Sequence, residues 1–192
     1  MISQRIEAGE LSLSLSEAAE RLCVPRDFDM NVCRSVEREL LGVIDCRMAA
    51  VRVPITKSDD MLMLGDIRVQ SRNLSHAVGS AEEAFVFAVT LGMGVERMLA
   101  RLSKTSVSAH FIADALSSAY AEAAADKAQK ILDFVAKTKK RFSPGYGDLP
   151  LEIQPKLLEM LNAQQLLGIT LTDSLLMKPQ KSITAIVGIK NE

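Results

Sequence analysis

Val51-Arg-Val-Pro-Ile55 and Ile67-Arg-Val69 place apolar residues at every second position or nearly so, and Phe85-Val-Phe-Ala-Val89 is an unbroken apolar run. A period of two marks a half-buried strand, and a short apolar run followed by Gly92 and Gly94 suits a strand covered on both faces. Pro54 cannot donate to a ladder, which points to an edge position. Ser182-Ile-Thr-Ala-Ile-Val-Gly-Ile189 adds a strand at the carboxy terminus. Strands and helices do not alternate regularly along the chain. The order therefore predicts an α+β fold, a largely antiparallel sheet with long helices, over a doubly wound one.

Outward from those strands the period changes. Cys33, Val36, Leu40 and Val43 recur at steps of three and four, which predicts an amphipathic helix from about Asp29 to Arg47. Ser14 and Glu17 have the spacing of a capping box ahead of Glu17-Ala-Ala-Glu-Arg-Leu22, a short helix bounded by Pro25. Residues 1–48 thus read as a helical amino-terminal part. From about Ser106 to Lys137 there is neither Gly nor Pro and much Ala, so this is the longest predicted helix. Ala119, Ala121, Ala123, Ala124, Ala125 and Ala128 leave room for close approach by a neighbouring element or by a ligand. A loop from Phe142 to Pro150, punctuated by Pro and Gly, leads to a further helix over about Glu152 to Leu166.

A chain of 192 residues that is 48% hydrophobic suits one domain, residues 1–192, with a sizeable core. Lys plus Arg (23) nearly balances Asp plus Glu (24), so no global field favours nucleic acid or an anionic membrane. The longest apolar run, Ala84 to Val95, is interrupted by Thr90, Gly92 and Gly94 and is shorter than the roughly 18 residues a membrane span needs. The start, MISQRIEAGE, lacks the layout of a signal peptide, and the expectation is a cytoplasmic protein. Cys23, Cys33 and Cys46 are too widely spaced for a CxxC pair, with only His76 and His110 to join them, so no metal site is expected. With no Trp, two Tyr and six Phe, a stacking platform for bases is not expected either. Gly92 and Gly94 lack the third glycine of a dinucleotide fingerprint, and no phosphate-binding GxxxxGK[ST] loop occurs.

Lys139-Lys-Arg-Phe-Ser-Pro-Gly-Tyr-Gly-Asp-Leu-Pro150 is the least generic stretch. Gly145 and Gly147 let backbone groups approach a ligand, because no Cβ stands in the way. Arg141 offers a planar donor fork suited to a free carboxylate, and Tyr146 a ring with a hydroxyl tip. The same residues would also serve as an ordinary turn with a solvated run of Lys137, Lys139, Lys140 and Arg141. Glu122, on the long helix, belongs to the stripe Asp114, Ser118, Glu122 and Asp126, whose spacing of four suits a solvated helix face.

Arg141-Phe-Ser-Pro-Gly-Tyr146 with Pro150 resembles the RxxPGYxxxP signature of the reactivation domain of cobalamin-dependent methionine synthase. Ala113-Asp-Ala-Leu-Ser-Ser-Ala-Tyr-Ala-Glu122 is similar to that family's long helix. Gly168-Ile-Thr-Leu-Thr-Asp-Ser-Leu-Leu-Met177, with Pro179 and Ser182, is similar to its carboxy-terminal segment. Together these cover about residues 105–190 in the family's order. The amino-terminal hundred residues look more like short, free-standing relatives than like the domain fused to a full-length synthase. Two departures follow. An acidic ligand contact has no evident equivalent among Asp27, Asp29, Asp59, Asp60 and Asp66, and Glu152 stands where fused members carry a histidine.

The resemblance implies a site for S-adenosylmethionine. In it Arg141 takes the carboxylate, Glu122 faces the ammonium or sulfonium, Ser143 and Gly145 present backbone to the adenosine, and Tyr146 stands on the methyl's path. It further implies an accessory role in reductive reactivation, in which the methyl is presented to cob(I)alamin carried by a partner's cobalamin-binding domain. A low-potential donor such as flavodoxin or ferredoxin would act on the complex. The absence of an activated Ser, Cys or His constellation agrees with a role of positioning, as a methyltransferase component inactive without its partner. The alternative is a docking or reactivating module for another corrinoid methyltransferase, without methyl transfer of its own.

Overall fold

The computed structural model describes residues 1–11, 13, 30–58 and 61–191. The expected helix after Ser14, together with Cys23, Pro25, Asp27, Asp29, Asp59 and Asp60, lies outside the described residues. Strand β1 (Ile2–Ile6) precedes helix α1 (Met30–Val43) in the chain. Next come β2 (Cys46–Ser58), β3 (Met61–Leu64), β4 (Ile67–Val69), α2 (Arg72–Val78) and β5 (Glu83–Thr90). Two helices follow, α3 (Met93–Thr105) and α4 (Val107–Val135). After a loop and a 3-10 turn the chain adds α5 (Gln154–Met160), α6 (Ala163–Leu167), the small hairpin β6 (Thr170–Leu171) and β7 (Met177–Lys178), and β8 (Ser182–Gly188).

The main sheet runs β4-β3-β2-β5-β8, with β1 also paired to β2, and every pairing is antiparallel. The α+β fold with an antiparallel sheet is thus as the strand order predicts. Pro54, however, is not on an edge strand. On one side β5 pairs residues 47–54 of β2, while on the other β1 covers 46–50 and β3 covers 55–58. Pro54 falls in the gap between β1 and β3, where its carbonyl accepts from the Gly65 N–H at 2.9 Å. N–H and C=O of one strand residue point the same way, so the missing proline donor costs no ladder bond.

The helical reading of residues 1–48 is corrected in part. Helix α1 is present, but the segment opens on β1 and closes on the start of β2. Ile2-Ser-Gln-Arg-Ile6 shows no alternation, and backbone pairing to β2 draws it into the sheet. The predicted helix over Glu152–Leu166 is likewise broken: Asn162 adopts a left-handed conformation (φ 49°) between α5 and α6.

Alternate residues of β2, β5 and β8 feed two cores on opposite faces of the sheet. Met48, Phe85, Phe87, Ala185 and Val187 pack under α1, α3 and α4, while Ala49, Val86, Ala88 and Ile186 pack under α2, α5 and α6. Because β5 is covered on both faces, its sequence is apolar without interruption. Ala124, Ala125 and Ala128 are fully buried in the first core, so the alanine-rich side of α4 serves close packing.

Candidate ligand-binding site

The outer edge of β8 is only partly covered. Residues after α4 run along it: the Lys139 N–H donates to the Gly188 carbonyl (2.8 Å), and Phe142 and Ile186 exchange hydrogen bonds of 2.9 and 2.8 Å. Ile186 therefore directs its backbone groups outward, and by strand alternation so do Thr184 and Ser182. Beyond Phe142 the chain leaves β8, and a cavity of about 900 Å³ opens at that edge. Arg141, Ser143 and Tyr146 line it from the loop and Glu122 and Gln129 from α4. Gln154, Thr184 and the Leu175–Met177 segment line its other sides.

Arg141 is the electrostatic centre of the cavity's α4 side. Its Nη2 donates to Glu122 Oε2 at 2.9 Å and its Nη1 to Asp126 Oδ1 at 2.5 Å, both reached from consecutive turns of α4. Burial works against the guanidinium's charge, but the bonds to Asp126 and Glu122 outweigh it and hold its pKa above the ordinary value. Among the described residues no hydrogen bond engages its Nε. Arg141 is thus more than part of a solvated turn, whereas Lys137 and Lys140 of the same run are exposed, and the acidic stripe is paired throughout: Lys181 Nζ lies 2.8 Å from Asp114 Oδ1 and donates to Ser118 Oγ at 2.9 Å.

The loop itself is held from within. The Gly145 N–H donates to the Leu149 carbonyl (2.9 Å), the Leu149 N–H to the Tyr146 carbonyl (3.0 Å) and the Tyr146 N–H to the Ser143 carbonyl (3.3 Å). Gly145 is not among the cavity-lining residues, unlike Ser143, Arg141, Glu122 and Tyr146. Tyr146 projects at the rim with two thirds of its surface exposed (66%), beside Leu176 at 57%. Asp148 fixes the loop to α2, accepting from the Ser71 hydroxyl (2.5 Å) and from the backbone N–H groups of Arg72 (2.8 Å) and Asn73 (3.1 Å). Gly147 crosses α2 so closely that a Cβ there would lie 2.0 Å from Asn73 Nδ2, and its φ is +55°.

Sequence reasoning passed over Gln154 and Thr184. Both are buried, and the Thr184 hydroxyl donates to Gln154 Oε1 at 2.8 Å. One more buried pair belongs to the same edge, where the Ser182 hydroxyl, also on the cavity lining, donates to Thr90 Oγ1 at 2.8 Å. Nothing in the local pattern marks these polar residues, since an apolar strand and a helix start look the same with or without a cavity between them. Elsewhere, burial pushes the Cys46 thiol up to about 12, with Asp45 adding to the effect, which leaves it unreactive. Among the described residues no group of three or more His, Cys, Asp or Glu could hold a metal, and no helix is long and apolar enough to cross a membrane.

Residues 74–192 match the family described as vitamin B12 dependent methionine synthase, activation domain. Among solved structures the chain is similar to the MetH reactivation domain bound to AdoHcy, with a TM-score of 0.71 at 14% identity, over 98% of this chain and 78% of that one. At that identity the likeness is one of fold. No match is found among curated proteins. With the family match covering more than half its length, the chain belongs to the activation-domain family of vitamin B12-dependent methionine synthase.

Proposed function

We propose that this chain, acting as one cytoplasmic domain over residues 1–192, binds S-adenosylmethionine in the cavity beside β8 and presents its methyl group to cob(I)alamin held by a partner protein. The observation that carries this reading is the convergence of Arg141, Glu122 and Tyr146 on one cavity. Its volume of about 900 Å³ lies within the range of small-molecule sites. The lining also fits the ligand class. A zwitterionic amino-acid group needs a cation and an acid side by side, and Arg141 with Glu122 supplies both. The related MetH domain is bound to AdoHcy, the demethylated counterpart of this ligand.

In this reading Arg141 takes the carboxylate and Glu122 the ammonium, while the Ser143 backbone borders the adenosine and Gly145, which does not line the cavity, serves the turn that holds the loop. Tyr146 at the rim guides the methyl outward. The cobalt of cob(I)alamin supplies the electron pair for the new Co–C bond, and the sulfur keeps the pair of the bond that breaks. The chain needs no base of its own, and its contribution is position. The partner is the cobalamin-binding domain of a methionine synthase, with reduction supplied by a low-potential donor such as flavodoxin or ferredoxin.

The test uses a cob(II)alamin-loaded synthase lacking its own reactivation domain, a low-potential donor and S-adenosylmethionine. The cobalamin spectrum should reach methylcobalamin only when this protein is added. Tyr146→Ala should slow that recovery more than it weakens ligand binding, because the ring lies at the exit and the carboxylate grip lies deeper. Ligand binding without any protein-dependent methylation of a cognate corrinoid partner would remove the proposal.

A further inference from the structure

Gln154 is 3% exposed at the start of α5, yet it lines the cavity. Its Oε1 is taken by the Thr184 hydroxyl, and among the described residues nothing accepts from its Nε2. Among the described residues no fully buried side-chain nitrogen or oxygen lacks a partner, so that Nε2 reaches accessible surface, and the surface Gln154 borders is the cavity. A primary amide buried this deeply, with its carbonyl end tethered, cannot turn over freely. It offers the cavity a donor in one fixed direction. Next to it the Thr184 backbone carbonyl faces out from the free edge of β8, as an acceptor.

The two ends of the cavity differ in character. The α4 side carries the ion-paired Arg141 and Glu122, whereas the α5 side carries the neutral Gln154 and Thr184 together with Leu151. We infer that Gln154 is a specificity-determining residue that donates from Nε2 to a ring-nitrogen acceptor of the ligand's nucleobase, so that the neutral end selects adenine. The inference rests on the reading of the cavity as an S-adenosylmethionine site. An adenine edge presents an acceptor nitrogen beside an amino donor, the complement of Nε2–H and a backbone carbonyl. Hypoxanthine presents a ring N–H beside a carbonyl oxygen, which sets donor against donor and acceptor against acceptor.

Calorimetric titration of the purified full chain with S-adenosylhomocysteine and with S-inosylhomocysteine tests this. The wild-type protein should prefer the adenosyl ligand by at least about ten-fold, the scale of one buried hydrogen bond. Gln154→Leu should weaken the adenosyl ligand by about ten-fold while leaving the inosyl ligand unchanged or tighter, so that the preference collapses. Thr184→Val, which keeps the amide but releases its tether, should narrow the preference too, and it serves if Gln154→Leu does not fold. Equal loss for both ligands would mean that Gln154 only supports the wall, and an undiminished preference would likewise overturn the inference. If the wild-type chain binds neither ligand, the functional reading itself fails and takes this assignment with it.

Discussion

Arg141 grips two carboxylates of its own chain, so a ligand carboxylate entering the cavity meets a guanidinium already aligned. Its unengaged Nε–H and the second Nη2–H can still form a two-point contact, which makes the acids its positioners as well as rivals. Arg141→Ala should therefore cost about 1.5 to 3 kcal/mol of S-adenosylmethionine binding, or roughly ten- to a hundred-fold in affinity. The fold should survive, because Arg141 is outside both cores. Unchanged binding by a folded variant would dismiss the carboxylate role. Arg141, Glu122 and Tyr146 were legible in the sequence because charge and an uncommon loop motif mark them without help from neighbours. Gln154 and Thr184 were not, because their meaning arises from a pairing between residues 30 positions apart.

The end of helix α1 and the start of α3 approach so closely that a Cβ on Gly94 would stand 2.2 Å from the Val43 carbonyl oxygen. Backbone cannot yield as a side-chain tip can, so Gly94→Ala should separate the two helices and cost about 1 to 3 kcal/mol or more, read as a lower denaturant midpoint. A midpoint equal to wild type would show that the approach is loose. The loop and α2 are joined instead by charge. The Ser71 hydroxyl, with the Arg72 and Asn73 N–H groups, holds the Asp148 carboxyl below its ordinary range. A depressed carboxyl pKa adds stability that is present above the unfolded value of 3.8 and lost as pH falls through the lower folded one. Asp148→Ala should thus lower the thermal midpoint at neutral pH, and the deficit should shrink as pH falls through the lowered folded value and the wild-type carboxyl takes up its proton; a deficit that does not change with pH would assign the loss to packing. Neither contact was visible beforehand, since α2 and α3 are short or interrupted by glycine and their neighbours are distant in sequence.

At the level of the whole molecule, the strands centred on Val51–Ile55, Phe85–Val89 and Ser182–Ile189 and the long helix α4 were legible from period and composition alone. Those elements pack against a core on both faces or along one whole face, which must then be apolar. The amino-terminal strand β1 and the break at Asn162 were not, because backbone pairing and a single left-handed residue leave little trace in hydrophobic pattern. The cavity, too, depends on a backbone detail. Continuing the pairing of Phe142 with Ile186 by one step would set Pro144 opposite Thr184, and proline has no N–H to give. The ribbon after α4 must therefore peel away there, leaving just Thr184 and Ser182 outward on an uncovered rim. Two open positions are too few to template a foreign strand, so this edge stays uncovered without inviting copies of the chain to pair along it.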